Sequence, residues 1–210
     1  FWGRLMSKFM LYFSTIFILF CSIAFAQSTR TVEESQLISK AEAAFSSLSS
    51  LRAEFIQISA DGAIREGMIY LRRPYQLRLD YINPDSLSLI TSKRVIYIDD
   101  KIGKQVDVYP LSETPFSPIL RDEVRFAGPE FTTKARLESG VISIEMSRDT
   151  GDGAGKLTLE FNGDTGRLMR WIIIDAIGVK TTVSLQNPVY DIRLENKLFR
   201  APSYELESNN

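Results

Sequence analysis

The sequence predicts a mainly β protein built around one large antiparallel sheet. Apolar and polar residues alternate with a period of two in many short segments from Leu51 onward, which is the pattern of strands with one buried face. Turn-forming clusters such as residues 163–166 separate these segments at intervals of about 8 to 12 residues. One long helical pattern precedes them. Together these observations indicate a meandering sheet that is curved or barrel-like.

The first element is an amphipathic helix over roughly residues 32–48. Thr31 and Glu34 have the spacing of a capping box, in which side chains satisfy the free backbone N–H groups at a helix start. Apolar residues then recur at intervals of three and four; they are Leu37, Ala41, Ala44, Phe45 and Leu48. We expect this face to dock on the apolar side of the sheet.

The strands follow the helix in sequence order. They are predicted at 51–58, 64–72, 77–81, 87–91, 95–99, 105–109, 132–137, 141–147, 156–161, 168–174 and 179–185. The clearest alternation places Leu77, Leu79 and Tyr81 on one face and charged residues on the other. One face of the sheet is therefore predicted to be wet. A proline followed by apolar residues at 115–120 predicts a short second helix.

Composition excludes many catalytic and metal-binding classes. The 210 residues contain no histidine and one cysteine. Zinc sites of Cys and His, histidine-ligated haem and Ser-His-Asp or Cys-His catalysis are therefore ruled out. The chain has 25 Lys and Arg against 26 Asp and Glu, a balance that does not indicate a nucleic-acid-binding surface.

The remaining motifs do not favour an enzyme. Residues 151–155 are rich in glycine, but they lack the Lys and Ser or Thr of a P-loop and join two predicted strands. Aspartates near this segment lack the regular spacing of a calcium loop. Asp99 and Asp100 are neighbours on a strand, so they point to opposite faces and cannot share a proton. We expect no catalytic residue, no metal and no cofactor.

Residues 1–26 have the composition of a secretory signal peptide. The basic residues Arg4 and Lys8 precede an apolar run, and residues 24–26 (Ala-Phe-Ala) form a small-x-small cleavage site. We expect cleavage after this site and export to the periplasm. Residues 27–210 then form a single domain without disulfide bonds, which is long enough to fold around one core.

Two alternatives for this segment stay open. The apolar run at 9–26 is close to the minimum length of a membrane-spanning helix, so it is also compatible with an uncleaved anchor. Cys21 allows lipid attachment, although the bulky Phe20 before it fits a lipobox poorly. Met6 is the expected start, with residues 1–5 lying upstream of the native protein.

Arg73 is the candidate for a specific polar role. Pro74 removes a backbone donor and should end the strand at 64–72, which places Arg73 at the rim of the sheet. It is either a solvated turn residue or a forked donor that reaches helix carbonyl groups and holds a helical cover in place. Beneath such a cover, a filled core and a covered cavity are both compatible with the pattern.

Several motifs occur in a fixed order along the first half of the chain. They are Phe55-Ile56-Gln57, Gly67 with Leu71, Arg73-Pro74, Leu79-Asp80-Tyr81, the strand at 95–99, and Thr114-Pro115-Phe116. This series resembles the outer-membrane lipoprotein carrier protein (LolA) family. The resemblance covers roughly residues 38–120, and the ending at 198–202 is also similar.

The resemblance implies an incomplete, half-open antiparallel β-barrel covered by short α-helices. It implies a periplasmic chaperone that binds the acyl chains of lipoproteins and acts as a monomer. An inner-membrane ABC complex would release the lipoproteins to it, and an outer-membrane acceptor would receive them. The family role of a clamp that hydrogen-bonds the helical lid falls here on Arg73.

Apolar residues of the first strands are the expected ligand contacts. The predicted cavity residues are Phe55, Met68, Tyr70, Leu77, Leu79, Tyr81, Ile90, Ile96 and Ile98. The predicted lid residues are Leu37, Phe45, Phe116, Ile119 and Leu120. Which residues of the strands at 87–98 face inward stays open, because a shift of one residue reverses the faces.

Two other functions are compatible with the same fold. One is an outer-membrane-anchored lipoprotein acceptor, which would require acylation of Cys21. The other is a periplasmic adaptor or regulatory domain that uses the sheet to bind protein.

Overall fold

The computed structural model describes residues 31–82, 87–114, 117–149, 151 and 154–204. The expected signal peptide at 1–26 and the predicted lid residue Phe116 lie outside these ranges. Within them, the structure contains no helix that is both long and apolar enough to cross a membrane.

The secondary structure begins with a helix and continues mainly as strands. Helix α1 spans Val32–Ser47, and the short helix α2 spans Ser117–Leu120. The strands are β1 Ser50–Ile58, β2 Ile64–Arg72, β3 Gln76–Tyr81, β4 Leu87–Ser92, β5 Val95–Asp100, β6 Gln105–Pro110, β7 Thr132–Glu138, β8 Val141–Arg148, β9 Gly155–Asn162, β10 Leu168–Ile174 and β11 Lys180–Tyr190. Two 3₁₀ helices lie at Leu111–Glu113 and Asn196–Phe199.

All of these strands form one antiparallel sheet in the order β6-β5-β4-β3-β2-β1-β11-β10-β9-β8-β7. Strands that follow each other in sequence are neighbours, except for β6 and β7 at the two edges. Strand β1 also pairs with β11 and so joins the two halves of the chain. In the described residues β6 and β7 are not paired, so the sheet is not closed. The predicted incomplete antiparallel barrel with covering helices is therefore confirmed.

Strand β11 is longer than its sequence pattern indicated. The alternation predicted a strand that ends at 185, whereas β11 continues to Tyr190, which pairs with Leu51 of β1. Pairing with the whole of β1 supplies hydrogen bonds to residues that carry no strand signal of their own. The register shift between Arg52 and Glu54 accommodates this extension.

Helix α1 lies over the inner face of the sheet, against β7 and β8. Its Phe45 ring is 6.1 Å from the ring of Phe126 and 6.3 Å from that of Phe161, measured between centroids. The Glu42 carboxylate accepts a hydrogen bond of 2.6 Å from the backbone N–H of Phe126. These aromatic and polar contacts fix the helix on one half of the sheet and leave the other half for a second cover.

Gly67 allows two neighbouring strands to approach around the Phe55 ring. Phe55 pairs with Gly67 across β1 and β2 and packs edge-on against Tyr81, with ring centroids 5.2 Å apart. A Cβ atom added at Gly67 would lie 2.1 Å from the backbone oxygen of Asp80 and 2.6 Å from the Phe55 ring. A side chain at this position is therefore incompatible with the β2–β3 pairing as it stands.

Gly67→Ala is expected to lower the free energy of unfolding by about 3 kcal/mol, since a buried ring and a strand must both move. Denaturant unfolding measures the change. Gly128→Ala is the control, because a Cβ atom there meets nothing within 4 Å. Equal stabilities of the two variants would contradict this account of Gly67.

The outer face of β3 and β4 is covered by the C-terminal segment. Arg72 Nη1 donates a hydrogen bond of 2.8 Å to the carbonyl oxygen of Leu194, and its guanidinium lies 4.8 Å from the centroid of the Phe199 ring. Arg78 Nη1 donates to the carbonyl oxygen of Leu198 at 3.1 Å. The outer face here is thus partly apolar and buried, contrary to the expectation that it is simply wet.

Asp80 supports this segment by holding Arg78. Its carboxylate accepts hydrogen bonds from Arg78 Nε at 2.7 Å and from Ser88 Oγ at 2.6 Å. Burial raises the pKa of Asp80, but the hydrogen bonds from Arg78 and Ser88 oppose this effect and the net pKa lies below the ordinary value. The charged form is therefore favoured by folding.

Because the pKa of Asp80 is lower in the folded state, its stabilising effect is present at neutral pH and is lost as the pH falls below about 4. The wild type is expected to be more stable than Asp80→Asn at neutral pH, and the difference is expected to shrink on acidification. Denaturant unfolding of both proteins across this range tests the expectation. A difference that does not change with pH would exclude it.

Candidate functional site: a covered apolar cavity

A cavity of about 190 Å³ lies on the inner face between the two halves of the sheet. Its walls come from β1, β3, β4, β10, β11, the β10–β11 hairpin and α2. The lining residues are Gln57, Leu77, Leu79, Tyr81, Leu89, Ile119, Trp171, Ile173, Asp175, Val179, Thr181 and Val183. Antiparallel pairing explains the set, since paired residues share a face and Leu79 pairs with Leu89 while Trp171 pairs with Val183.

The few polar groups at the cavity are largely engaged within the protein. Tyr81 donates a hydrogen bond of 2.8 Å to the side-chain oxygen of Gln57, and burial raises the pKa of the Tyr81 hydroxyl. Asp175 Oδ1 accepts hydrogen bonds from the backbone N–H groups of Ile177 and Val179. The cavity therefore suits an apolar ligand.

The described residues contain no group of three or more Asp, Glu, Cys or His side chains arranged to hold a metal ion. The cavity lining offers one carboxylate and no lysine or arginine. Such a lining can bind by burial of apolar surface.

Helix α2 forms the cover of the cavity. Ile119 lines the cavity and Leu120 is completely buried. The carbonyl oxygen of Leu120 accepts a hydrogen bond of 2.7 Å from the backbone N–H of Tyr75, in the turn between β2 and β3. The Tyr75 hydroxyl also donates to Asp122 Oδ2 at 3.1 Å. The β2–β3 turn is thus the point at which α2 is tied to the sheet.

Arg73 in the same turn connects both helices. Its Nη1 atom donates to the carbonyl oxygens of Phe45 at 3.0 Å and Ser46 at 3.3 Å, at the C-terminal end of α1. Its Nη2 atom donates to the carbonyl oxygens of Arg121 and Asp122, both at 3.1 Å, directly after α2. One guanidinium group therefore bridges the ends of the two covering helices.

The electrostatic environment of Arg73 is that of a partly buried cation. Burial lowers the pKa of Arg73, and the Asp122 carboxylate opposes this shift. An arginine remains protonated at neutral pH despite such a shift. The guanidinium also lies 5.5 Å from the centroid of the Phe45 ring, an arrangement that favours a cation.

Most of the predicted cavity residues lie on the inner face. These are Phe55, Leu77, Leu79, Tyr81, Ile96 and Ile98. Three of them, Leu77, Leu79 and Tyr81, line the cavity. The predicted lid residues Phe45, Ile119 and Leu120 are buried, and Leu37 is partly buried against the core. Their roles in ligand binding and the role of Arg73 as a clamp stay predictions.

The prediction that Met68, Tyr70 and Ile90 face the cavity is wrong, because all three lie on the outer face of the sheet. Met68 pairs with Asp80, while Tyr70 and Ile90 each pair with Arg78, so all three side chains share the outer face with these charged residues. In β2 apolar residues occupy both faces, which hides the alternation. Ile90 is buried, but beneath the C-terminal segment rather than in the cavity.

Several cavity-lining positions were not predicted from the sequence. Trp171, Ile173, Thr181 and Val183 line the cavity from the second half of the chain. The alternation in β10 and β11 could have indicated them, but the pairing of β1 with β11 was needed to bring them next to Leu79. Glu42, which ties α1 to Phe126, carries no local signal.

Residues 46–202 match the sequence profile of the family described as outer membrane lipoprotein carrier protein LolA. The chain belongs to the LolA family. The match covers most of the described residues, including the sheet, α2 and Arg73, and it supports a binding fold in an extracytoplasmic setting.

Sequence comparison with curated proteins finds no match to this LolA-family chain. Solved structures are similar in fold. One is a proposed outer membrane lipoprotein-sorting protein domain from Vibrio parahaemolyticus, 11% identical, with a TM-score of 0.50 over 80% of this chain and 96% of the other. A LolA superfamily protein from Nitrosomonas europaea is 10% identical, with a TM-score of 0.47 over 80% and 97%. An uncharacterized conserved protein from Thermus thermophilus is 10% identical, with a TM-score of 0.49 over 80% and 93%.

Proposed function

We propose that this protein is a periplasmic carrier that binds the acyl chains of lipoproteins in the covered cavity and transports them to the outer membrane. The observation that carries the proposal is an apolar cavity whose two covering helices are bridged by hydrogen bonds from one guanidinium group, that of Arg73. Lipoproteins would come from an inner-membrane ABC complex and would leave to an outer-membrane acceptor. The carrier would work as a monomer without catalysis, cofactor or nucleic acid.

The size of the cavity implies that the cover moves when ligand binds. Its volume of 190 Å³ is below the range of roughly 300 to 1,000 Å³ that is usual for small-molecule pockets. An acyl chain of about 16 carbons therefore needs more room than the closed protein offers. Movement of α2 away from the sheet would enlarge the cavity along Leu77, Leu89 and Ile119.

The energies involved allow such movement. Each CH₂ group of an acyl chain contributes about 0.8 kcal/mol on burial, so one chain of about 16 carbons contributes on the order of 10 kcal/mol. A hydrogen bond to a charged donor contributes roughly 1.5 to 3 kcal/mol net, and less when the donor is half exposed. Burial of the chain therefore outweighs the loss of the Arg73 contacts, while those contacts still favour release.

The proposal is tested with one peptide in two forms, a synthetic N-terminally diacylated peptide and its unacylated counterpart. Protein expressed from the full sequence is mixed with each peptide and separated by size-exclusion chromatography. We expect a soluble one-to-one complex with the acylated peptide alone. Equal binding of both forms would favour a protein-binding adaptor instead, and absence of binding to either form would contradict the carrier role.

Mass spectrometry of the same preparation separates the carrier from an anchored acceptor. A carrier released by signal cleavage begins at Gln27, after the Ala24-Phe25-Ala26 site. A protein that begins at a diacylated Cys21 would instead be the acceptor. The intact mass therefore decides between the two in one measurement.

A further inference from the structure

Exposed isoleucines are concentrated at one end of the sheet. Among the exposed large apolar residues of the described chain, every isoleucine lies at this end. Together with one valine they form a set that we name the isoleucine rim: Ile58, Ile64, Ile82, Ile102, Ile177 and Val179. The common location follows from the meander, because the β1–β2, β3–β4, β5–β6 and β10–β11 connections all turn at the same end of the strands.

Aspartate side chains hydrogen-bond the backbone in two turns of the rim. In the β5–β6 turn, Asp100 Oδ1 accepts hydrogen bonds from the backbone N–H groups of Ile102 at 3.1 Å and Gly103 at 3.2 Å. In the β10–β11 hairpin, Asp175 Oδ1 accepts from Ile177 at 3.0 Å and Val179 at 2.9 Å. The isoleucines are thus presented outward, with exposed fractions of 78% for Ile102 and 85% for Ile177.

These hydrogen bonds also lower the cost of moving the tips out of water. A backbone N–H group that enters an apolar environment without an acceptor is strongly unfavourable. At the two tips the donors next to the isoleucine side chains already have acceptors in Asp100 and Asp175. The aliphatic side chain of such a tip can therefore enter the apolar phase without leaving its own N–H group unpaired, while the aspartate carboxylate stays at the level of the polar headgroups.

The rim borders the cavity. Val179 belongs to the rim and also lines the cavity, and it is 42% exposed. Gln57, Tyr81 and Asp175, which stand at the same ends of their strands, line the cavity as well. An acyl chain that leaves the cavity at this end would therefore pass apolar residues before it meets water.

We propose that the isoleucine rim docks this protein on a bilayer surface that contains anionic lipids, with the cavity opening toward the membrane. The rim is spread over separate tips that extend roughly 30 Å along the sheet, given a strand spacing of about 4.8 Å. Such a spread matches a broad surface better than it matches a single helix or strand. Lys101 and Lys104 flank Ile102, and Lys180 follows Val179. With Asp100 and Asp175 in the same two turns, the lysines exceed the aspartates by one, so a small excess of positive charge stands beside the apolar tips, as in interfacial segments.

Flotation with lipid vesicles tests the docking. Wild-type protein is mixed with vesicles of phosphatidylethanolamine and phosphatidylglycerol, and the fraction that floats with the lipid is measured. We expect the double variant Ile102→Ser with Ile177→Ser to lose about tenfold in partitioning, because two aliphatic insertions are removed. The matched control is Leu137→Ser with Val189→Ser, exposed apolar residues near the opposite end of the sheet, and it should behave as the wild type.

Failure of wild-type protein to float, or an equal loss in both double variants, would overturn the proposal. Thermal unfolding of each variant shows whether a loss of binding comes from misfolding. The double variant Ile102→Leu with Ile177→Leu keeps both aliphatic side chains and should bind the vesicles as the wild type does. Vesicles of phosphatidylcholine alone should bind the wild type more weakly, since they lack the anionic headgroups.

The proposal rests on the proposed carrier function, and a second measurement separates the two. The rim variant should bind the diacylated peptide in solution with wild-type affinity, but it should deliver that peptide to vesicles about tenfold more slowly, in proportion to its weaker docking. If the wild type binds no acylated peptide, the carrier function fails, whereas the flotation result still decides on the rim. If the peptide binds but its delivery does not depend on the rim, the inference fails alone.

Discussion

Arg73→Leu is expected to increase the affinity for a diacylated peptide by roughly tenfold to thirtyfold and to slow its release. The guanidinium bridges the carbonyl oxygens at the ends of α1 and α2, and leucine cannot replace these hydrogen bonds. The closed state therefore loses stability relative to the open state, by about 2 kcal/mol if the contacts are worth a typical amount. Because the ligand binds the open state, it no longer has to displace the cover.

Fluorescence titration with a labelled acylated peptide measures the affinity, and a challenge with empty vesicles measures release. Arg72→Leu is the matched control, since Arg72 is the adjacent residue and its hydrogen bonds go to Gln76, Leu194 and Asn196 rather than to the cover. Arg73→Lys keeps the charge but cannot bridge both helices and should be intermediate. Equal affinities of Arg73→Leu and Arg72→Leu would exclude the clamp.

Thr181→Trp is expected to weaken binding of the acylated peptide at least about tenfold, because the indole ring fills the space that the chain would occupy. Thr181 lines the cavity and pairs with Ile173. Filling the cavity removes apolar area that would otherwise be available to the ligand.

Thr182→Trp provides a control within the same strand. Thr182 pairs with Ile172 and Ile58 and points to the opposite face, so the same substitution leaves the cavity unchanged. The same titration applies to both variants, and thermal unfolding checks that the tryptophan has not disrupted the sheet. Wild-type affinity in Thr181→Trp would show that acyl chains bind elsewhere.

The predicted elements agree with the structure because strand alternation is a local property. In β3 the residues Leu77, Leu79 and Tyr81 are buried in turn, as the pattern indicated. Alternation becomes ambiguous where apolar residues occupy both faces of a strand. This explains the errors at Met68 and Tyr70, whose face is decided by pairing with Asp80 and Arg78.

Long-range pairing also explains why the cavity-lining residues in the second half of the chain were not predicted from the sequence. Trp171 and Val183 lie about a hundred residues after Leu79, and no local pattern connects them. The β1–β11 pairing brings them together across the sheet. Similarly, Ile90 is apolar and buried, yet the segment that buries it is the far C-terminal one.

Composition and local periodicity were sufficient to predict which catalytic side chains are absent and where most of the strands lie. A chain without histidine cannot perform the catalysis that a histidine side chain supports. Its alternating segments predicted an antiparallel sheet with helical covers. These conclusions need only composition and local periodicity, which do not depend on how distant segments meet.

The partners of Arg73 and the presence of a cavity beneath α2 could be seen only in the tertiary structure. Arg73 was compatible with a solvated turn residue, and its contacts with the ends of α1 and α2 depend on where two helices dock. A filled core and a covered cavity have the same sequence pattern, and the 190 Å³ space is lined by residues of both halves of the sheet together with Ile119 of α2. Local patterns do not contain this information, because packing and hydrogen bonding between distant segments are set by the register and curvature of the whole sheet.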